Sequence, residues 1–201
     1  GWLEKLQVLL VSKLNYMITK LCKSRGFDGK RIYEITAAGN TTMTHLLLGI
    51  SPSSLGYSPF TGVFRDSVTS AAGDAGLHIH PAGRLTTLPN IAGFVGGDTV
   101  AGVIASSMHQ SPKTRLLVDV GTNGEVVLGS SKELVSCSPA AGPAFEGAKI
   151  RHGMRATAGA IEKVEYTDGF LINVIGDVKP SGICGTGLID SLALLLKPKI
   201  V

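Results

Sequence analysis

The sequence predicts an α/β fold in two parts, and three observations carry that expectation. Hydrophobic residues fill 44% of the 201 positions while aromatic residues fill only 5%, so the core is aliphatic, and 26 glycines supply many backbone-defined turns. Apolar residues recur at helical spacing near the start. After residue 115, short apolar segments alternate with tight turns, as in antiparallel strands. Such a chain is long enough for one domain or two small ones, and this make-up suits a nucleotide-binding α/β protein.

Leu3, Leu6, Leu10, Leu14, Met17 and Leu21 place an amphipathic helix over Trp2 to about Lys23. Gly26 and Asp28-Gly29 end it. A strand over Arg31 to Ala38 follows, then a break at Gly39-Asn40 and a short helix through Met43 and Leu48 capped by Thr41 or Thr42. Ser51 to Pro89, rich in Ser, Pro and Gly, reads as an irregular excursion with a strand or two. A closely packed helix is expected from Asp98 to Met108, since Val100, Ala101, Val103, Ile104 and Ala105 are small or branched.

Arg115 to Val120 then reads as a buried strand, Gly121 to Gly124 as a tight turn and Glu125 to Gly129 as the returning strand. Ser130 to Lys132 turns into a third strand, Glu133 to Ser138, completing a meander. The Gly/Pro-rich stretch Pro139 to Gly147 opens a short helix. Ile161 to Tyr166 and Phe170 to Ile175 form a hairpin around Thr167-Asp168-Gly169. Pro180 to Gly187 leads into a helix through Leu188, Leu192 and Leu196.

Charge and cysteine use narrow the function. The net charge is +4, and its first basic cluster, Lys20 to Arg31, is interleaved only with Phe27, which predicts a solvated face and no nucleic-acid surface. Cys22, Cys137 and Cys184 are three and far apart, without a C-x-x-C pair. That argues against a disulfide framework or a cysteine-ligated cluster in this chain, and for reduced thiols in a cytoplasm, with Cys137 and Cys184 as small buried residues. The apolar runs are too short to span a bilayer. His78 and His80 read as surface histidines.

The strand, turn and return strand around residue 120 have a chemical use. Gly121 and Gly124 let backbone N–H groups approach phosphate oxygens, Thr122 and Asn123 add side-chain donors, and Asp119 can hold Mg²⁺ through a water. The other reading is an ordinary hairpin with a good turn sequence. Neither the Walker-type loop nor a strand-bound G-x-G-x-x-G is present. Gly182, Gly185 and Gly187 either present N–H groups to a ligand or make a tight strand-to-helix turn. Glu125 and Glu146 face either a cleft or solvent.

Asp119-Val120-Gly121-Thr122-Asn123-Gly124-Glu125 resembles a phosphate motif of the actin, sugar-kinase and heat-shock-chaperone ATPase superfamily. Ala38 to Met43, Asn90 to Gly102, Cys137 to Gly147 and Gly182 to Asp190 resemble, in that order, blocks of the reductive activators of corrinoid proteins. The resemblance covers nearly the whole chain. It implies a ribonuclease H-like, actin-like ATPase fold of two lobes, truncated at both ends. Residues 1–110 would be the C-terminal part of lobe one with the interlobe helix, and residues 111–201 the N-terminal part of lobe two.

The same resemblance implies ATP and Mg as cofactors, with Asp119, Gly121, Thr122, Asn123, Gly124, Glu125, Gly142, Gly185 and Gly187 at the nucleotide. Gly97-Asp98-Thr99-Val100 resembles the Asp-Thr-Val segment of hexokinases, which makes Asp98 either a catalytic, water-orienting or Mg-holding carboxylate or merely a helix N-cap. The implied activity is ATP-dependent reduction of a corrinoid protein from Co(II) to Co(I). Electrons would come from a 2Fe–2S cluster in a ferredoxin-like domain outside this chain. No earlier Asp-x-Gly-Thr phosphate motif and no late Gly-Gly turn for the adenosine occur in it, so the stretch alone would not be expected to turn over ATP. The partner would be a corrinoid iron–sulfur or corrinoid methyltransferase protein; a homodimer is compatible, and neither nucleic acid nor membrane is implied. Two alternatives stay open, a small-molecule kinase of the same superfamily and a non-catalytic, nucleotide-gated docking module for a corrinoid protein.

Overall fold

The structure is a computed structural model that describes residues 1–121, 123–140, 142 and 150–196. It divides into two compact units. One holds Gly1–Leu117 and Val126–Cys137, the other Val118–Glu125 and the described residues from Ser138 onward.

The first unit opens with α1, Trp2–Ser24. Its end is set by Gly26, whose φ of 61° lies in the left-handed region. Phe27 N–H then donates to Cys22 O at 2.9 Å and Gly26 N–H to Lys23 O at 3.3 Å, the paired bonds of a Schellman ending. Val11, Leu10, Leu14 and Ile18 bury the inner stripe of α1, while Leu6, Met17 and Leu21 remain exposed. Asn15 ties the helix to the loop below it: its Nδ2 donates to Gly76 O at 2.9 Å, and its Oδ1 accepts from His78 N–H at 2.8 Å.

That loop belongs to a small sheet of order β1-β3-β2, formed by β1 (Glu34–Ala37), β2 (Thr69–Ala71) and β3 (Arg84–Thr87). β1 runs parallel to β3 from Glu34↔Arg84 to Ala37↔Thr87, and β2 is antiparallel to β3. The core over this sheet gathers Val11, Leu47, Ala72, Leu77, Ile79 and Leu85. β1 is shorter than expected because residues 29–31 form a 3₁₀ turn capped by Asp28, whose carboxylate accepts from Lys30 N–H at 2.9 Å. α2, Thr41–Leu47, is capped not by a threonine but by Asn40, whose Oδ1 accepts from Met43 N–H at 2.9 Å. Thr41 turns inward and donates to Ala92 O.

α3, Gly97–Ala105, ends sooner than the sequence suggests, because Ser107 adopts a left-handed φ of 53° before a 3₁₀ turn over Met108–Gln110. β4 (Arg115–Val120), β5 (Gly124–Gly129) and β6 (Leu134–Cys137) form the expected meander in that order. β5 and β6 are antiparallel from Val126↔Cys137 to Gly129↔Leu134. Leu117 packs with Val103, Met108 and Val127. The other apolar residues of β4 differ from the buried strand expected: Leu116, Val118 and Val120 are 63%, 50% and 62% exposed. Among the described residues, only the Leu117 face of that strand joins a core cluster.

In the second unit, β7 (Ala160–Tyr166) and β8 (Phe170–Val174) make the expected hairpin, and β9 (Gly182–Ile183) joins β7 in parallel. α4, Gly185–Leu196, packs on β7, and Val164 N–H donates to the carboxylate of Asp190 from α4. The expected short helix after Pro139 and residue Glu146 lie outside the described residues. No described helix is long and apolar enough to cross a membrane.

Candidate functional site

β4 delivers Asp119 two residues beyond Leu117, its last anchor in the cluster of Val103, Met108 and Val127. The Asp119 side chain is exposed, since the period-two pleat places it on the same strand face as Leu117 but past that cluster. The turn after it is closed by Gly121 N–H donating to Asn123 O at 3.2 Å. A Cβ at Gly121 would lie 3.3 Å from that same oxygen, so glycine permits the tight closure. Thr122 lies outside the described residues.

A second clasp holds the far side of the turn. Asn123 forms a bridge with Ala140, Gly124 N–H donates to Pro139 O at 2.9 Å, and Ser138 Oγ donates to Glu125 Oε1 at 2.9 Å. Asp119, Gly121, Asn123, Gly124 and Glu125 therefore sit together on one supported turn. Two of its N–H groups, those of Gly121 and Gly124, are engaged within the turn and its clasp. Gly142 is half-buried with a left-handed φ of 82°, and open space lies where its Cβ would be.

Asp98 belongs to the first unit. The helix it was expected to begin starts one residue earlier, and its N-cap position is Gly96. Asp98 therefore stands in the first turn, half-buried, with Oδ1 accepting from Thr99 N–H at 2.8 Å. A carboxylate is favoured there by the partial positive charge at the helix start. The pair Gly96-Gly97 carries a signal that sequence reasoning passed over. A Cβ at Gly96 would stand 2.7 Å from Asn40 Cα, and one at Gly97 would stand 3.1 Å from Leu88 Cβ. Only glycine lets the start of α3 lie against the start of α2, with Asp98 N–H donating to Gly39 O at 3.2 Å.

Gly185 and Gly187 are buried in the first turn of α4, where a Cβ on Gly187 would overlap the carbonyl oxygen of Ile161. Cys184, at the start of α4, is 3% exposed. Burial pushes its thiol up, but the N–H of Gly187 and the hydroxyl and N–H of Thr186 more than offset this, leaving it below its ordinary value. Cys137, expected to be buried, is exposed at the end of β6, whose residues all face solvent. His80 is half-buried, stacked on Tyr33 with ring centroids 4.1 Å apart, while His78 is exposed. Among the described residues no group of three or more His, Cys, Asp or Glu side chains converges as a metal cage.

Two family models match the chain in succession: the RACo middle region over residues 1–111, and the C-terminal domain of RACo, the ASKHA domain, over residues 113–201. The corrinoid activation enzyme RamQ of Eubacterium limosum is 40% identical over 99% of this chain. The [Co(II) methylated amine-specific corrinoid protein] reductase of Methanosarcina barkeri is 32% identical over 56% of it. The chain spans 33% and 25% of the lengths of these two relatives. A solved reductive activator for corrinoid, iron–sulfur protein matches 99% of the chain and 32% of its own, with a TM-score of 0.80 and 42% identity. The chain belongs to the RACo family of reductive activators of corrinoid proteins, and its mixed α/β architecture includes part of their actin-like ATPase domain.

Proposed function

We propose that this chain supplies a nucleotide-binding turn to an ATP-dependent activator that reduces the cobalt of a corrinoid protein from Co(II) to Co(I). The observation that carries the reading is the turn of Gly121 to Gly124, clasped by Pro139, with Asp119 at its mouth, near the start of the stretch matching the ASKHA domain. Mg²⁺ is held by one or two carboxylates together with waters and substrate phosphates, so a single exposed Asp119 fits it without a protein cage. Bound there, the ion would neutralise phosphate charge.

Asp119 would position that cation, Asn123 would donate to a phosphate oxygen, and Gly121 would leave the approach unobstructed by a side chain. Asp98 is the candidate for orienting a water toward the terminal phosphate. The residues present do not fit an iron–sulfur cluster, because Cys22 and Cys184 are buried and Cys137 is exposed, with no converging ligand group among the described residues. The electron would therefore enter from elsewhere in a longer protein, acting in the cytoplasm. ATP would act through differential binding to two states of the activator, which changes its affinity for the partner.

The test follows corrinoid absorbance in a protein of full family length carrying this sequence, with a reductant and a corrinoid protein, with and without Mg-ATP. Accumulation of Co(I) only with Mg-ATP, accompanied by ADP release, is the expected result. Co(I) formation at the same rate without nucleotide would contradict it.

A further inference from the structure

The first unit contains a pocket of about 210 Å³ between the loop at residues 59–65 and the segment at residues 90–93. Its walls are largely apolar, with Phe60, Phe64 and Ile91. Phe60 holds a left-handed φ of 58°, a conformation that a bulky residue keeps only where its surroundings enforce it. Here close packing enforces it: the Phe60 ring lies 5.5 Å from that of Phe94, and a Cβ at Gly93 would overlap the Phe60 carbonyl oxygen. The loop is also pinned from within, because Val63 N–H donates to His45 Nε2 at 3.0 Å. Several polar groups of the wall are engaged with neighbours. Asn90 N–H donates to Arg65 O at 2.7 Å, Thr41 Oγ1 to Ala92 O at 2.9 Å, and the N–H groups of Ile91 and Ala92 to Val95 O. Arg65 stands apart from them as the one charged residue among the described lining residues. Its Nη2 donates to Ile91 O at 2.6 Å, which fixes the guanidinium against the wall. Among the described residues no carboxylate lies within ion-pair distance of it. A guanidinium carries five N–H donors in a planar fork, so this one bond leaves an edge for a second acceptor.

We propose that this pocket binds a monocarboxylate carried on a short apolar stem. The carboxylate accepts charge-assisted bonds from Arg65, and the stem lies against Phe60, Phe64 and Ile91. One cation in an apolar wall selects against other head groups. A carboxamide forgoes the charge and turns an NH₂ toward a donor, and an ammonium meets a like charge. A phosphate dianion requires more donors than a single guanidinium supplies. The pocket is smaller than those that enclose a whole drug-sized ligand, which limits the stem to about the size of one amino-acid side chain. Free short-chain acids and the carboxyl-terminal residue of a polypeptide share this chemistry.

The experiment is a methyl nuclear magnetic resonance titration of a protein of full family length carrying this sequence, following the δ1 methyl of Ile91. 3-Methylbutanoate should shift that methyl saturably, with a Kd at least about tenfold below that of 3-methylbutanamide. 3-Methylbutylammonium should leave it in place. In Arg65→Gln the acid should bind no better than the amide, and unchanged amide binding there shows that the pocket is intact. The wild-type comparison of acid with amide decides the matter even where that variant does not fold. No saturable shift with the acid, equal affinity for acid and amide, or a preference that survives Arg65→Gln would each overturn the proposal. N-acetylglycyl-leucine separates the sources at the same methyl. Tighter binding than 3-methylbutanoate supports a polypeptide end, and weaker binding supports a free acid. None of these readouts needs ATP or cobalt reduction, so they hold or fail independently of the absorbance test of corrinoid activation.

Discussion

His45 is fully buried beside the loop at residues 59–65, and both its ring nitrogens are used. Nδ1 lies 2.6 Å from Thr41 O, and Nε2 accepts from Val63 N–H at 3.0 Å, which assigns the ring hydrogen to Nδ1. The ring also stacks on Phe64 at 4.5 Å. His45→Ala leaves Val63 N–H without its acceptor and opens a cavity, so a loss of about 2–4 kcal/mol is expected in urea unfolding. Native stability in that variant would show that the loop is not anchored through this ring. The thiols give a second check at this scale. Cys137 should react with a thiol reagent in the folded protein, while Cys22 and Cys184 should wait for unfolding; mass spectrometry of the labelled peptides separates them. Rapid native labelling of Cys184 would contradict its burial against β7 at the start of α4.

At the scale of elements, α4 depends on how closely its first turn meets β7. Gly187→Ala drives a methyl toward Ile161 O, and a loss of about 1–3 kcal/mol is expected, measured as a lower urea midpoint at unchanged slope. An unchanged midpoint would mean that the helix start stands off the strand. Much of this element plan was legible in advance. The spacing of Leu3, Leu10 and Leu14 located α1, Thr167-Asp168-Gly169 located the β7–β8 turn, and Gly121 to Gly124 located the meander, because local pattern and turn chemistry agree there. What periodicity did not reveal was exposure. Leu116, Val118 and Val120 have the pattern of a buried strand, yet burial is decided by what packs across the sheet. The cap on α2 was misassigned by one or two residues, since Asn40 and the two threonines after it all suit the role and only the inward turn of Thr41 toward Ala92 selects Asn40. In the candidate site, Asp119 and its glycines were legible because the acid interrupts an apolar run.

For the whole molecule, the proposal drawn from membership in the RACo family and from the clasped turn is that the carboxylate at the mouth of β4 would position a cation for nucleotide phosphates. For Asp98 a separate, water-orienting role is proposed. Asp98→Asn should slow hydrolysis while leaving nucleotide binding closer to normal, and parallel loss of both would show that it contributes to affinity instead. The most direct measurement is calorimetric Mg-ATP binding together with corrinoid activation by Asp119→Asn, in a protein of full family length shown to be folded. The substitution keeps shape and removes charge, and an exposed residue at a strand's mouth contributes little core packing. The expected result is a loss of Mg-ATP-stimulated activation of at least about tenfold, equivalent to roughly 1.4 kcal/mol, with weakened Mg-dependent binding. Wild-type affinity and activation in that variant would contradict the account and leave the β4–β5 turn a purely structural hairpin.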